Sequence, residues 1–237
     1  MSEDAFDDLG VPPPADRSGR ARPVRPRDAA TLILIRRGGA DLRVLMGRRH
    51  GGHDFMPGKW VFPGGRIDRA DFRAPHAGDL RPEVAARLEK TASPARARAL
   101  ALAAIRETFE ETGLLLGRPA PARPAAGPWR DFLGQGVLPD LEALDFVARA
   151  VTPPMLPKRF DARFFMAEAD RLISLERQGD CGELDEIAWF GLGEALALDL
   201  PTVTRFVLRE VPLRLADPTR PVPSLQFLRG RQQLRHL

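Results

Sequence analysis

Apolar positions along this chain come in short runs broken by glycine, proline and charge, and the spacing of those runs sets out the elements. Residues 31–35 (Thr-Leu-Ile-Leu-Ile) and 42–46 (Leu-Arg-Val-Leu-Met) flank a Gly-Gly-Ala-Asp segment, the pattern of two strands joined as a hairpin. A third short strand, Trp60-Val61-Phe62, runs into Pro63-Gly64-Gly65, which turns sharply. Residues 146–151, 164–166 and 187–190 also read as strands. Helices are expected near 82–90, over 193–198 and over 202–210. The longest helix starts at Ser93-Pro94, an N-cap followed by proline at the first helical position. It runs to Thr112, where Gly113 supplies a left-handed stop.

Mixed strands with few, separated helices suggest an α+β or a layered α/β/α domain. Residues 1–26 are rich in proline and charge with almost no large apolar residue, so a flexible tail is expected there. One domain is expected over 27–215, with 216–237 as a C-terminal tail. Residues 72–92, polar and marked by Pro75, Gly78 and Pro82, read as an excursion from the core sheet. Residues 118–130, rich in proline and alanine, read as loop. A length of 237 residues suits one domain with tails.

Composition removes several classes. Hydrophobic residues make up 43% and charged residues 29%, an ordinary globular balance. No run approaches the roughly 18 apolar residues of a membrane helix, so no membrane partner is expected. The acidic N-terminus lacks the basic and apolar regions of a secretory signal, which points to the cytoplasm. The single Cys181 excludes an intrachain disulfide and a multi-cysteine zinc site. Its acidic neighbours Asp180 and Glu183 also disfavour a thiolate. The pI near 10.1 accompanies a formal charge of only +4 because 33 of the 36 basic residues are arginine. Those arginines are interleaved with 32 acids rather than gathered with aromatics, so a nucleic-acid face is not expected.

The chemistry is concentrated where the long helix ends, in Arg106-Glu107-Thr108-Phe109-Glu110-Glu111-Thr112-Gly113-Leu114. At about 100° per residue, Glu107, Glu110 and Glu111 share an arc of roughly 100°, with Leu102, Ile105 and Phe109 nearly opposite. Like charges at these spacings oppose a helix, and a hard divalent cation relieves the repulsion through oxygen ligands. A solvated acidic face is the plainer reading of three glutamates alone. Arg106, able to orient a carboxylate, and the upstream Phe62-Pro63-Gly64-Gly65 turn, whose backbone can approach a ligand closely, favour a metal site.

These residues resemble the signature of the Nudix superfamily, G-x5-E-x7-R-E-U-x-E-E-x-G-U, where U is aliphatic. Arg106, Glu107, Glu110, Glu111, Gly113 and Leu114 match its second half, Thr108 stands at an aliphatic slot, and Gly65 matches its opening glycine. Two departures stand out. Asp71 occupies the position of the first glutamate, and Gly65 and Arg106 are 41 positions apart, 27 more than the signature allows. A long insert after Arg48-Arg49 and the Phe-Pro-Gly-Gly turn is similar to the subgroup containing peroxisomal coenzyme A diphosphatases. The resemblance implies a Nudix-like α/β/α sandwich with a mixed central sheet and the catalytic helix after a glycine turn. It also implies metal-dependent cleavage of a phosphoanhydride in a small-molecule nucleoside diphosphate derivative, with a coenzyme A-like molecule as one candidate.

Within that reading Glu107, Glu110, Glu111 and the Gly65 carbonyl hold Mg²⁺ or Mn²⁺. The catalytic set is Glu107, Arg106 and Glu186, the base being Glu107 or an acid of the segment Glu183-Leu184-Asp185-Glu186. Arg48 and Arg49 are candidates for substrate phosphates, as is Lys59. His50 and His53 read as a solvent-facing loop, because no third histidine or cysteine accompanies them. Trp189 and Phe190 read as core. Two alternatives are a non-catalytic nucleotide-binding module on the same fold and an RNA-processing Nudix enzyme. The oligomeric state is left open, a homodimer included.

Overall fold

A computed structural model of the chain describes residues 24–38, 41–52, 57–154, 156–177, 184–228 and 231–237. Most of the expected N-terminal tail, together with His53 and Cys181, lies outside the described residues. The elements run β1 (Arg27–Gly38), β2 (Asp41–Arg49), β3 (Trp60–Val61), β4 (Gly64–Arg66), α1 (Pro82–Glu89), α2 (Pro94–Thr112), β5 (Gly117–Pro119), α3 (Arg130–Gly134), β6 (Val137–Pro139), β7 (Asp145–Val151), β8 (Phe160–Glu168), β9 (Leu184–Gly191), α4 (Leu192–Ala197), α5 (Thr202–Ala216), β10 (Pro223–Leu228) and β11 (Arg231–His236).

The main sheet follows the order β11-β10-β7-β8-β1-β2-β3, with β4 added on β1 and β9 on β2. It is mixed: β1 is parallel to β8 and antiparallel to β2, and β10 is parallel to β7. The unbroken apolar run of β1 has a direct cause. Leu32 and Leu34 enter a core formed with α1 and α2, while Ile33 and Ile35 enter a second core formed with α4 and α5. A strand covered on both faces has no polar face to alternate with. The result is the expected α/β/α layering, in the α+β class.

Residues 72–92 contribute no strand to this sheet. Their helix α1 lies on α2 and buries Val84 and Leu88 completely, so the excursion completes the core on that side. The C-terminal segment corrects the expectation of a tail over 216–237. There β10 and β11 form an antiparallel pair at the sheet edge, and Val222 and Leu225 are buried in the two cores. Alternating apolar positions are few here, and the segment is held by β7, a partner distant in sequence. Among the described residues no helix is long and apolar enough to cross a membrane.

Candidate functional site

Helix α2 begins and ends at its expected signals. The Ser93 side chain accepts from the Arg96 N–H, and Gly113 adopts φ 71°, its N–H bonded to the Phe109 carbonyl at 2.8 Å. The helix is buried on more of its surface than an amphipathic pattern requires, because the glycine turn and the segment after it cover the acidic side. Arg106 is 3% exposed, and Thr108 and Glu111 are buried as well. Thr108 tolerates an apolar slot by returning its hydroxyl to the Ala104 carbonyl, 2.7 Å away.

The glycine turn is laid on β1, with Gly64 opposite Thr31 and Gly65 opposite Ala30. Gly64 is sterically required by backbone, and Gly65 leaves room for a carboxylate. A Cβ on Gly64 would lie 2.5 Å from the Ala30 carbonyl oxygen, and one on Gly65 would lie 2.4 Å from the Glu107 carboxyl carbon. The Glu107 carboxylate therefore rests directly on the Gly65 backbone. Glu111 reaches the same turn, accepting from the Gly64 N–H at 3.3 Å.

Arg106 organises the rest. Its Nε and Nη2 donate to the two oxygens of Asp71 at 2.9 and 3.1 Å, and Nη2 also reaches the Arg66 carbonyl at 3.0 Å. Its Nη1 donates to Glu107 Oε1 at 2.9 Å and Glu110 Oε2 at 2.8 Å. Burial works against this charge, but hydrogen bonding to Asp71 and the charges of Glu107, Asp71 and Glu110 outweigh it. The guanidinium is thus held above its ordinary pKa. Asp71 is completely buried and also accepts from Trp129 Nε1 at 2.9 Å and from the Asp68 N–H at 2.7 Å. Four donors satisfy one carboxylate, the condition under which a buried charge is tolerated.

Trp129 is the residue that sequence reasoning missed. It sits in a stretch read as loop, and the signal was present: a lone tryptophan among prolines and alanines is an anchor whose N–H needs a partner once buried. Asp71, by contrast, is one methylene shorter than the glutamate of the signature it resembles, and it contacts Arg106.

Arg48 and Glu186 lie elsewhere. They face each other across β2 and β9, with Arg48 Nη2 3.5 Å from Glu186 Oε2 and its guanidinium 6.0 Å from the Trp60 ring centre. Along β9, Ile187 and Trp189 pack toward the α2 side whereas Phe190 packs toward α4 and α5. Strand alternation therefore puts Glu186 on the face away from the box. Arg49 follows Arg48 at an irregularity in the pairing of β2 with β9, and no described contact joins it to the box. Lys59 pairs with Asp199, and His50 lies 3.9 Å from Asp185. Trp189 and Phe190 are partly buried against the two cores.

Among the described residues no three acidic, histidine or cysteine side chains are grouped as a ready metal-ligand set; Glu107 and Glu110 are turned to Arg106. The donor chemistry nonetheless fits a hard divalent cation. Glu107 and Glu111 meet the glycine turn, Glu110 shares Arg106 with Glu107, and the absence of a side chain at Gly65 makes room for the Glu107 carboxylate.

No family model matches the chain. Among curated proteins it is similar to the acyl-coenzyme A diphosphatase of Gallus gallus, 32% identical over 54% of this chain and 42% of that protein. The Homo sapiens acyl-coenzyme A diphosphatase is 31% identical over 52% of this chain and 47% of that protein. The chain thus spans less than half the length of these curated relatives. Among solved structures, a NUDIX hydrolase from Alicyclobacillus acidocaldarius superposes with a TM-score of 0.62 at 29% identity, over 81% of this chain and 96% of that one.

Proposed function

We propose that the chain, whose Arg106–Leu114 segment resembles the Nudix box and whose fold is similar to that of a NUDIX hydrolase, is a metal-dependent hydrolase of that superfamily. Its substrate on this reading is a nucleoside-diphosphate-linked molecule of the coenzyme A type. One observation carries the reading: Glu107 and Glu111 meet the glycine turn, Glu111 through the Gly64 N–H, and Glu110 shares the Arg106 guanidinium with Glu107.

In the proposed reaction a water oxygen bonds to one phosphorus while the bridging P–O bond breaks, leaving two phosphorylated products. Glu107, Glu110, Glu111 and the Gly65 carbonyl would hold Mg²⁺ or Mn²⁺, whose charge neutralises the phosphate oxygens. Arg106 positions two of these carboxylates, and Asp71 and Trp129 fix Arg106 in turn. Of the acids weighed as base, Glu107 lies within the carboxylate group and Glu186 on the opposite face, so we assign proton acceptance to Glu107. The coenzyme A preference draws on the two curated relatives and on the insert that leaves and rejoins the chain beside the box.

The test is a comparison of kcat/KM for coenzyme A, ADP-ribose and a nucleoside triphosphate, with Mg²⁺ and with Mn²⁺. Hydrolysis of the diphosphates, coenzyme A foremost, is expected. Preference for the triphosphate would overturn the substrate class, and ligand binding without turnover would make the chain a binding module.

A further inference from the structure

The turn that carries Asp71 presents three more side chains that the box does not use. Asp71 points inward to Arg106 and Trp129, while its neighbours Arg69, Phe72 and Arg73 are exposed. With Ala70 they line a cleft of about 520 Å³. Phe72 is 50% exposed and is the one aromatic among the exposed large apolar residues described.

Several arginines of this chain are engaged by carboxylates, Arg37 by Glu168 and Arg149 by Asp161, for example. Among the described residues neither Arg69 nor Arg73 has an acidic partner. Asp68, the acid beside them, has one oxygen occupied in capping the turn through the Ala70 N–H at 2.7 Å. The turn itself is rigid, because four hydrogen bonds fix the Asp71 carboxylate at its centre. An aromatic ring and two cations are thus held outward with little further ordering needed on binding.

The cleft is close to the chemistry. Arg69 stands four positions after Gly65, a reach of at most about 14 Å. Phe72 adjoins Asp71, which is only one guanidinium away from Glu107. Diphosphate at the box would leave a nucleoside end within range of this wall.

We infer that the Arg69–Phe72–Arg73 cleft is a subsite for the phosphorylated nucleoside end of the substrate. The purine stacks on Phe72, and a phosphate outside the scissile diphosphate is taken by Arg69 and Arg73. The inference rests on the hydrolase reading above and deepens it. Every base offers a π-face to an aromatic ring, and a guanidinium fork matches phosphate geometry. Packing does not account for this group, since Phe72 leaves half its surface in water and neither arginine has an acidic partner among the described residues.

The experiment compares coenzyme A with its 3′-dephospho form in the wild type, in Phe72→Ala and in the Arg69→Ser/Arg73→Ser double variant. Calorimetric binding of adenosine 3′,5′-bisphosphate and of AMP is measured on the same proteins. All three side chains are exposed, so circular dichroism and Tm should match the wild type. The double variant is expected to lose about tenfold in kcat/KM for coenzyme A, through KM, with little change for the dephospho form. Phe72→Ala should raise KM for both by about tenfold. Bisphosphate should bind the wild type more tightly than AMP, and the double variant should abolish the difference. Hydrolysis with unchanged KM in both variants overturns the subsite and leaves the hydrolase reading intact. Bisphosphate binding that weakens in the variants, without turnover by any of these proteins, keeps the subsite and overturns the hydrolase reading. Failure of the wild type to bind bisphosphate overturns the subsite.

Discussion

Arg106 and Asp71, 35 positions apart, form a two-pronged ion pair in which Nε and Nη2 each meet one carboxylate oxygen. Both side chains are buried, and the same guanidinium reaches Glu107 and Glu110. The pair ties the segment after the glycine turn to the helix that bears the acids. It also sets the direction of two of those acids, linking fold and chemistry through one cation.

Asp71→Asn should therefore cost about 3–5 kcal/mol of stability, the range for breaking a buried pair and leaving one charge uncompensated. Urea unfolding followed by circular dichroism measures it. A loss below ~1 kcal/mol would mean that the pair does not hold the turn on the helix.

The two glycines of the turn should fail in different ways. In Gly65→Ala the new Cβ meets the movable end of Glu107, so the carboxylate shifts while the fold survives. Activity should fall by about tenfold or more, with Tm nearly unchanged. In Gly64→Ala the Cβ meets backbone, the Ala30 carbonyl oxygen and the Thr31 Cα, and about 1–3 kcal/mol of stability should be lost. Parallel Tm and kcat measurements separate the two outcomes, and equal effects at both positions would contradict the packing.

Glu110→Gln and Glu111→Gln should each lower kcat by at least ~100-fold while preserving the far-UV spectrum. Exhaustive chelation should abolish turnover, and Mg²⁺ or Mn²⁺ should restore it. Full activity after chelation, or near-normal kcat in both variants, would place the chemistry elsewhere.

Acid should weaken the fold partly through Asp161. Burial pushes this carboxyl's pKa up, but hydrogen bonding from Arg149, the charges of Arg163 and Arg149 and the bond from Arg163 outweigh it, so the folded value lies below the ordinary one. A depressed folded pKa adds stability that is fully present above the unfolded value, about 3.9. That stability is lost as pH falls through the folded pKa. The gap in unfolding free energy between wild type and Asp161→Asn should therefore be constant above about pH 5 and shrink below about pH 4. A gap that widens toward acid would reverse the assigned sign.

What the sequence determined by itself was local. The bounds of α2 followed from Ser93-Pro94 and Gly113, and the shared face of Glu107, Glu110 and Glu111 followed from helical spacing, because caps and periodicity act over a few residues. The continuous apolar run in β1 likewise announced a strand, though its two covered faces needed the layers to be explained. Only the tertiary structure decided the rest. Trp129 meets Asp71 across 58 positions, β10 pairs with β7 from the far end of the chain, and Glu186 is carried to the face away from the box by its register on β2. Burial, strand register and buried hydrogen bonds depend on which distant segments meet, and no local pattern of residue types encodes that meeting.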